Sequence, residues 1–231
     1  MRVLKIIDED FTNYREPAMF IGTIQCGGKC CIEAGIPLCV CHNDQWRHAG
    51  YQDIPDETIC ERYIGDPITS AIVFGGLEPF EQFQELIHFI SVLRNDYHVM
   101  DDVVIYTGYN AYEILDEVNQ LRPFGNIVIK YGRYVPDQPY REDPILGVKL
   151  ASFNQYAERI DPNMKIIVNP QCDPTHVHEL RKAMKENGGF CPCSLIHDEN
   201  TKCMCKEFRE QKSGVCHCGL YMKVEGDQHE S

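Results

Sequence analysis

The sequence predicts an α/β fold, and three observations carry that expectation. Short runs rich in β-branched and aromatic residues recur along the chain, amphipathic helical patterns fall between them, and breaker residues cluster late, near residue 170. Strands that alternate with helices argue for βαβ units and parallel pairing.

The first β-rich run, 3–7, is stopped by Asp8, Glu9 and Asp10. Runs at 19–24, 71–74, 103–106, 126–131 and 165–168 follow, several of them uninterrupted apolar stretches of the kind buried on both faces of a parallel sheet. Between them, 81–94 places Phe83, Leu86, Ile87, Ile90 and Leu93 three and four residues apart, and 111–121 spaces Ile114, Leu115 and Val118 likewise. Each predicts a helix with one buried face. Asn169-Pro170 and Asp173-Pro174 break the pattern after the last run. Two domains are therefore expected, 1–170 and 171–231. In the second, 176–187 carries Val177, Leu180, Ala183 and Met184 on one face and predicts a helix that stops at Gly188-Gly189. Residues 226–231 read as a frayed tail.

The chain has 231 residues with 22 Lys+Arg against 35 Asp+Glu, a net charge of −13. An acidic balance of this size argues against nucleic acid as a partner, because phosphate binding rests on Lys and Arg. The apolar start is shorter than the about 7–15 residues of a secretory h-region or the about 20 of a membrane span, so no membrane partner and a cytoplasmic location are expected. In that reducing compartment, 13 cysteines, an odd number, point to metal or redox chemistry rather than to a disulfide framework.

The cysteines fall into two windows: Cys26, Cys30, Cys31, Cys39 and Cys41, then Cys191, Cys193, Cys203, Cys205, Cys216 and Cys218. Cys60 and Cys172 stand apart and read as small buried apolar residues. In the first window, Cys26, Cys30, Cys39 and Cys41, with His42 nearby, satisfy the four N/S ligands of a structural zinc. An iron–sulfur cluster is the other reading, and local spacing leaves both open. Further along, a β-rich run ends in Gly75-Gly76-Leu77-Glu78-Pro79. Glycines there let a ligand approach the backbone, and the acid offers hydrogen-bond acceptors to a ligand amine.

Taken in order, these residues resemble the activating proteins of anaerobic ribonucleotide reductases, small members of the radical SAM (S-adenosylmethionine) superfamily. The matches are Cys26-x3-Cys30, then Cys41-His42-Asn43 with Trp46 after it; Gly75-Gly76-Leu77-Glu78-Pro79 for the family's GGEP-type turn; and Tyr106-Thr107-Gly108-Tyr109 for its WTGY-type strand end. Gly132-Arg133-Tyr134 and Ser152-Phe153-Asn154-Gln155 match its late Gly-aromatic and SSNQ-like segments. The resemblance spans roughly residues 15–160. It implies a partial (β/α) radical-SAM-type barrel and a [4Fe–4S] cluster held by Cys26, Cys30 and Cys41. One iron would stay open to SAM, whose methionyl amine would meet Gly75, Gly76 and Glu78, with Asn43 also binding the cofactor. One-electron reduction would cleave SAM, and a hydrogen atom would be taken from a glycine of a partner reductase. Two departures stand out. The family's two-residue gap between the second and third cysteines is ten residues here, 31–40, which adds Cys31 and Cys39 as alternative ligands, and Leu77 precedes the acid.

The second window holds three Cys-x-Cys pairs, Cys191-Pro192-Cys193, Cys203-Met204-Cys205 and Cys216-His217-Cys218. A [4Fe–4S] cluster takes four cysteines and leaves a dithiol. Residues 174–223 closely resemble the catalytic subunit of ferredoxin:thioredoxin reductase, whose pattern is CPC, CPC, CHC. That resemblance implies that Cys191, Cys203, Cys205 and Cys216 ligate a second cluster. Cys193 and Cys218 would form the redox-active pair, Cys193 attacking and Cys218 lying next to the cluster. His217 would carry protons, a role imidazole suits near neutral pH. Met204 replaces the family's Pro.

The joint expectation is a partial barrel followed by a small, mainly helical iron–sulfur domain, with two [4Fe–4S] clusters and SAM as cofactors. Its partners would be a glycyl-radical reductase subunit, a ferredoxin- or flavodoxin-type electron donor, and a thioredoxin. The alternative is a ferredoxin-dependent thiol–disulfide reductase whose N-terminal cluster domain acts on another target or is not catalytic.

Overall fold

The computed structural model describes residues 1–41, 43–198 and 200–225. His42 of the Cys41-His42-Asn43 motif, Glu199 and the tail 226–231 lie outside the described residues. The chain divides into two compact units, Met1–Gly108 with Phe124–Ile160, and Tyr109–Pro123 with Asp161–Ser231.

The first unit is built on a six-stranded sheet in the order Tyr156–Arg159, Ile127–Tyr131, Asp102–Tyr106, Ala71–Gly76, Ala18–Thr23, Lys5–Asp10. The inner four strands run parallel and the two edge strands antiparallel. The sheet is mixed and open, and the described residues form no closed barrel. Alternation of side chains assigns its two faces. One carries Phe74, whose ring meets Phe89 edge-on at 5.5 Å, so it packs on the helix Phe83–Asn95 through Leu86, Phe89 and Ile90. The other carries Phe20, Val73, Val104 and Val128, which pack with Leu146 and Leu150 of a hairpin formed by Arg141–Asp143 and Val148–Leu150. Both faces are covered, which is why these strands read as unbroken apolar runs. Cys60, in the helix Asp56–Ile64, is fully buried, as expected; Cys172 is only half-buried, because it lies in a turn rather than under a core.

The second unit holds the helix Pro174–Glu186, two short helices at Leu115–Leu121 and Lys206–Glu210, and a three-stranded antiparallel sheet. That sheet orders Met164–Val168, Tyr221–Glu225 and Gly214–Val215. Two segments expected in the first domain therefore belong to the second unit. The run at 165–168 pairs with Tyr221–Glu225 rather than joining the parallel sheet. The helix at 115–121 follows it, because the Asn119 side chain hydrogen-bonds both the N–H (3.1 Å) and the carbonyl (2.6 Å) of Ile166. Apolar pattern marks a strand but does not name its partner. Their shared core contains Leu115, Ile166, Met184, Phe208, Leu220 and Tyr221. Among the described residues, no helix is long and apolar enough to cross a membrane.

One buried acid ties the hairpin to the edge strand. Asp143 accepts hydrogen bonds from the N–H groups of Ile145 and Leu146, both 3.0 Å, and of Ala157, 2.9 Å. Asp143→Ala leaves these donors unpaired and is expected to lower unfolding free energy by about 1–3 kcal/mol in chemical denaturation; an unchanged midpoint would refute the role.

Candidate metal centres

Four parallel strands end on the same side of the sheet, and the segments that follow them close around one cavity of ≈ 390 Å³. Ligand sites in open α/β sheets lie beyond the carboxyl ends of the strands. After Ala18–Thr23 come Cys26, Cys30, Cys31 and Cys41, all of which line the cavity. Cys39 is exposed and does not. Gly27 N–H donates to both carboxylate oxygens of Glu81, at 2.9 and 2.7 Å, which anchors the start of the cysteine loop. The short helix Lys29–Ala34 then carries Cys30 and Cys31.

The second loop supplies the acid. Gly76 takes φ 83°, a conformation that favours glycine, and turns the chain so that Glu78 points back under the strand ends. Its Oε1 accepts from Phe80 N–H (3.2 Å) and Thr107 Oγ1 (2.7 Å), and its Oε2 from Gly108 N–H (2.9 Å). Burial raises the Glu78 carboxyl above its ordinary range, while these three donors pull it down. With three bonds made, the carboxylate keeps an acceptor position for a ligand. Asn43 Nδ2 donates to the Gly76 carbonyl at 2.6 Å. The late motifs close the far side: Gln155 Nε2 donates to the Gly132 carbonyl (3.1 Å) and Asn154 Nδ2 to that of Arg133 (2.9 Å).

Burial pushes the Cys30 thiol up to about 11 against the opposing Arg133 charge, and also raises Cys26. Such thiols become thiolates when a cation binds them. Four soft donors in one partly closed cavity suit iron–sulfur or zinc chemistry. Lys130 is a member of the site that sequence reasoning missed. It lies in the strand Ile127–Tyr131 and lines the same cavity, and its Nζ donates to the Gly132 carbonyl at 3.0 Å. Burial lowers its amine to about 8, with Cys30 and Glu78 opposing. Its one trace in the sequence is a lysine inside an otherwise apolar run.

In the second unit the sulfurs of Cys191, Cys193 and Cys218 lie within 4.8 Å of one another, and Cys216 Sγ is 3.4 Å from Cys218 Sγ. Hydrogen bonds from Cys205 and then Cys218 depress the Cys191 thiol, and one from Cys218 brings Cys216 down to about 6. Cys205 and Cys218, as donors, are raised. Cys203 is buried in the core with Met204 and Phe208, and burial raises it strongly. Cys193 is exposed and shares an open hollow with Cys191, Cys205 and His217. The gathering is thus one thiol cluster with a single solvent-facing member of the Cys193/Cys218 pair and an exposed imidazole beside it.

A family model described as "4Fe-4S single cluster domain" matches residues 38–151. The match takes in Cys39, Cys41, Glu78, Gly108, Lys130 and Gly132. It leaves out Cys26, Cys30 and Cys31 and the whole second window. No curated protein and no solved structure matches the chain. The family match and the thiol clusters point to an iron–sulfur protein.

Gly108 tests the first centre. A Cβ there would overlap the Cys30 sulfur. Gly108→Ala is expected to cost about four irons per chain after anaerobic reconstitution, the content of one [4Fe–4S] cluster, with the far-ultraviolet circular dichroism unchanged. Full iron content in the variant would place Cys30 outside the ligand set.

Proposed function

We propose that the chain is a two-centre iron–sulfur oxidoreductase, whose first unit cleaves SAM reductively to activate a glycyl-radical ribonucleotide reductase and whose second unit reduces disulfides. The observation that carries the first half is the meeting of Cys26, Cys30 and Cys41 with Glu78 in one cavity at the carboxyl ends of parallel strands. In this reading the three thiolates hold three irons of a [4Fe–4S] cluster. Glu78, through its remaining acceptor position, and the glycine turn at Gly75-Gly76 receive the methionyl amine, while Asn43 holds that turn in place. The Lys130 ammonium faces the carboxylate of the same ligand. A bound cluster would supply the electron that cleaves SAM to methionine and a 5′-deoxyadenosyl group able to take a hydrogen atom from the partner's glycine.

In the second unit Cys191, Cys203, Cys205 and Cys216 hold the other cluster. Cys193, the exposed thiol, attacks the disulfide of a thioredoxin-type substrate, and Cys218 completes the exchange from beside Cys191 and Cys216. His217, exposed in the same hollow, takes and returns the proton. Electrons come from a ferredoxin- or flavodoxin-type donor, one at a time. The whole works in the cytoplasm.

Anaerobic reconstitution is expected to give about eight irons per chain, and dithionite is then expected to release 5′-deoxyadenosine and methionine from SAM. Four irons and no cleavage would overturn the first half. Glu78→Gln is expected to lower SAM cleavage at least about tenfold, as loss of one charged hydrogen bond of 1.5–3 kcal/mol implies, while leaving reduction of a small disulfide unchanged. Parallel loss of both activities would show that the acid serves only the fold.

A further inference from the structure

Cys193, the exposed member of the second thiol cluster, is followed by a short segment that shows two apolar side chains to solvent. Leu195 is fully exposed and Ile196 is 67% exposed. Their outward pose is built into the turn. Ser194 N–H donates to the Cys191 carbonyl (3.0 Å), and Ser194 Oγ donates to the Ile196 carbonyl (2.9 Å) while accepting from Ile196 N–H (3.2 Å). At the other end the His197 ring stacks on Phe190 with centroids 4.6 Å apart, and its Nε2 lies 3.2 Å from Asn187 Nδ2. An apolar tip held in water between two such anchors marks a contact surface. The hollow that Cys193 shares differs in kind: its ≈ 570 Å³ are walled by Asn200, Thr201, Lys206, Glu207 and Glu210, and Leu195 and Ile196 do not line it. That is the size of a small-molecule site.

The geometry points to Leu195 and Ile196 as the residues that select a protein disulfide, carried by a folded partner with apolar surface around its sulfurs, over a small hydrophilic one. The inference rests on the reading of the second unit as a disulfide reductase and names what its exposed thiol recognises. A small disulfide fits the hollow and reaches Cys193 without the tip. A folded protein is too large to enter, so it brings its disulfide to the rim, where the tip stands two and three residues from the nucleophile, and covering the tip removes apolar surface from water. The exchange itself is the same for both. The Cys193 thiolate attacks one substrate sulfur, a mixed disulfide forms, and the other substrate sulfur leaves as a thiolate and takes a proton. The Cys218 thiolate then attacks the Cys193 sulfur, which frees the second substrate thiol and leaves a Cys193–Cys218 disulfide. Two electrons from the one-electron donor, with two protons, return that disulfide to the dithiol. The tip therefore acts on binding, before the first attack, and not on the exchange.

The test uses the reconstituted full chain with reduced methyl viologen as electron donor, and follows viologen oxidation by oxidised thioredoxin and, separately, by glutathione disulfide. The double variant Leu195→Ser, Ile196→Ser is expected to raise KM for thioredoxin at least about tenfold, the loss that leaving one such side chain in water implies. Its kcat for thioredoxin and both constants for glutathione disulfide are expected to stay unchanged. Ile64→Ser, which removes a 52% exposed apolar side chain from the first unit, is expected to change neither reaction. An unchanged thioredoxin KM in the double variant, an equal loss on both disulfides, or an equal loss in Ile64→Ser would overturn the inference. A wild type that reduces glutathione disulfide but not thioredoxin would also overturn it, and the reductase reading would then stand. Reduction of neither would overturn both.

Discussion

The first unit depends on one buried carboxylate. Glu78 leaves the central strand Ala71–Gly76 and accepts from Thr107 and Gly108 at the end of the neighbouring strand Asp102–Tyr106, and from Phe80 at the start of its own helical turn. These bonds hold two strand ends at a fixed spacing, and the missing side chain at Gly108, held this way, leaves room for the Cys30 sulfur. A buried carboxylate is costly unless its acceptors are used. Three bonds offset that cost and still leave an acceptor facing the cavity, so one group both organises the site and remains available to a ligand.

The second unit solves a different problem. Among the described residues, the groups that meet Cys191, Cys193 and Cys218 include no carboxylate. The thiols lie against one another instead: Cys216 Sγ is 3.4 Å from Cys218 Sγ, and the sulfurs of Cys191, Cys193 and Cys218 lie within 4.8 Å of one another. Access separates the members: Cys193 is exposed while Cys191 and Cys203 are buried, and an exposed thiol is the one a protein disulfide can reach.

Much of this was legible in the chain. The parallel strands showed as unbroken apolar runs because both faces are covered, and the Gly75-Gly76 turn, the Thr107-Gly108 strand end and Gln155 all meet at the cavity where the ordered motifs implied a single site. The run at 165–168 and the helix after Ile114 were legible as elements but not as members of the second unit. Their allegiance is set by Asn119 bonding the Ile166 backbone and by a strand more than fifty residues downstream. Lys130 escaped because a lysine within a strand pattern reads as an edge residue until the cavity beside it is seen. The surplus of thiols in the ten-residue insertion became informative once folding separated Cys39 from Cys31 and Cys41.

The central claim is that the cavity holds a cluster with an iron open to SAM. Electron paramagnetic resonance of the reconstituted, dithionite-reduced protein measures this most directly. The account predicts a reduced-cluster signal with a component whose shape changes when SAM is added, and that component disappears in Cys41→Ala. A spectrum indifferent to SAM, or a SAM-responsive component that survives the loss of Cys41, would contradict it.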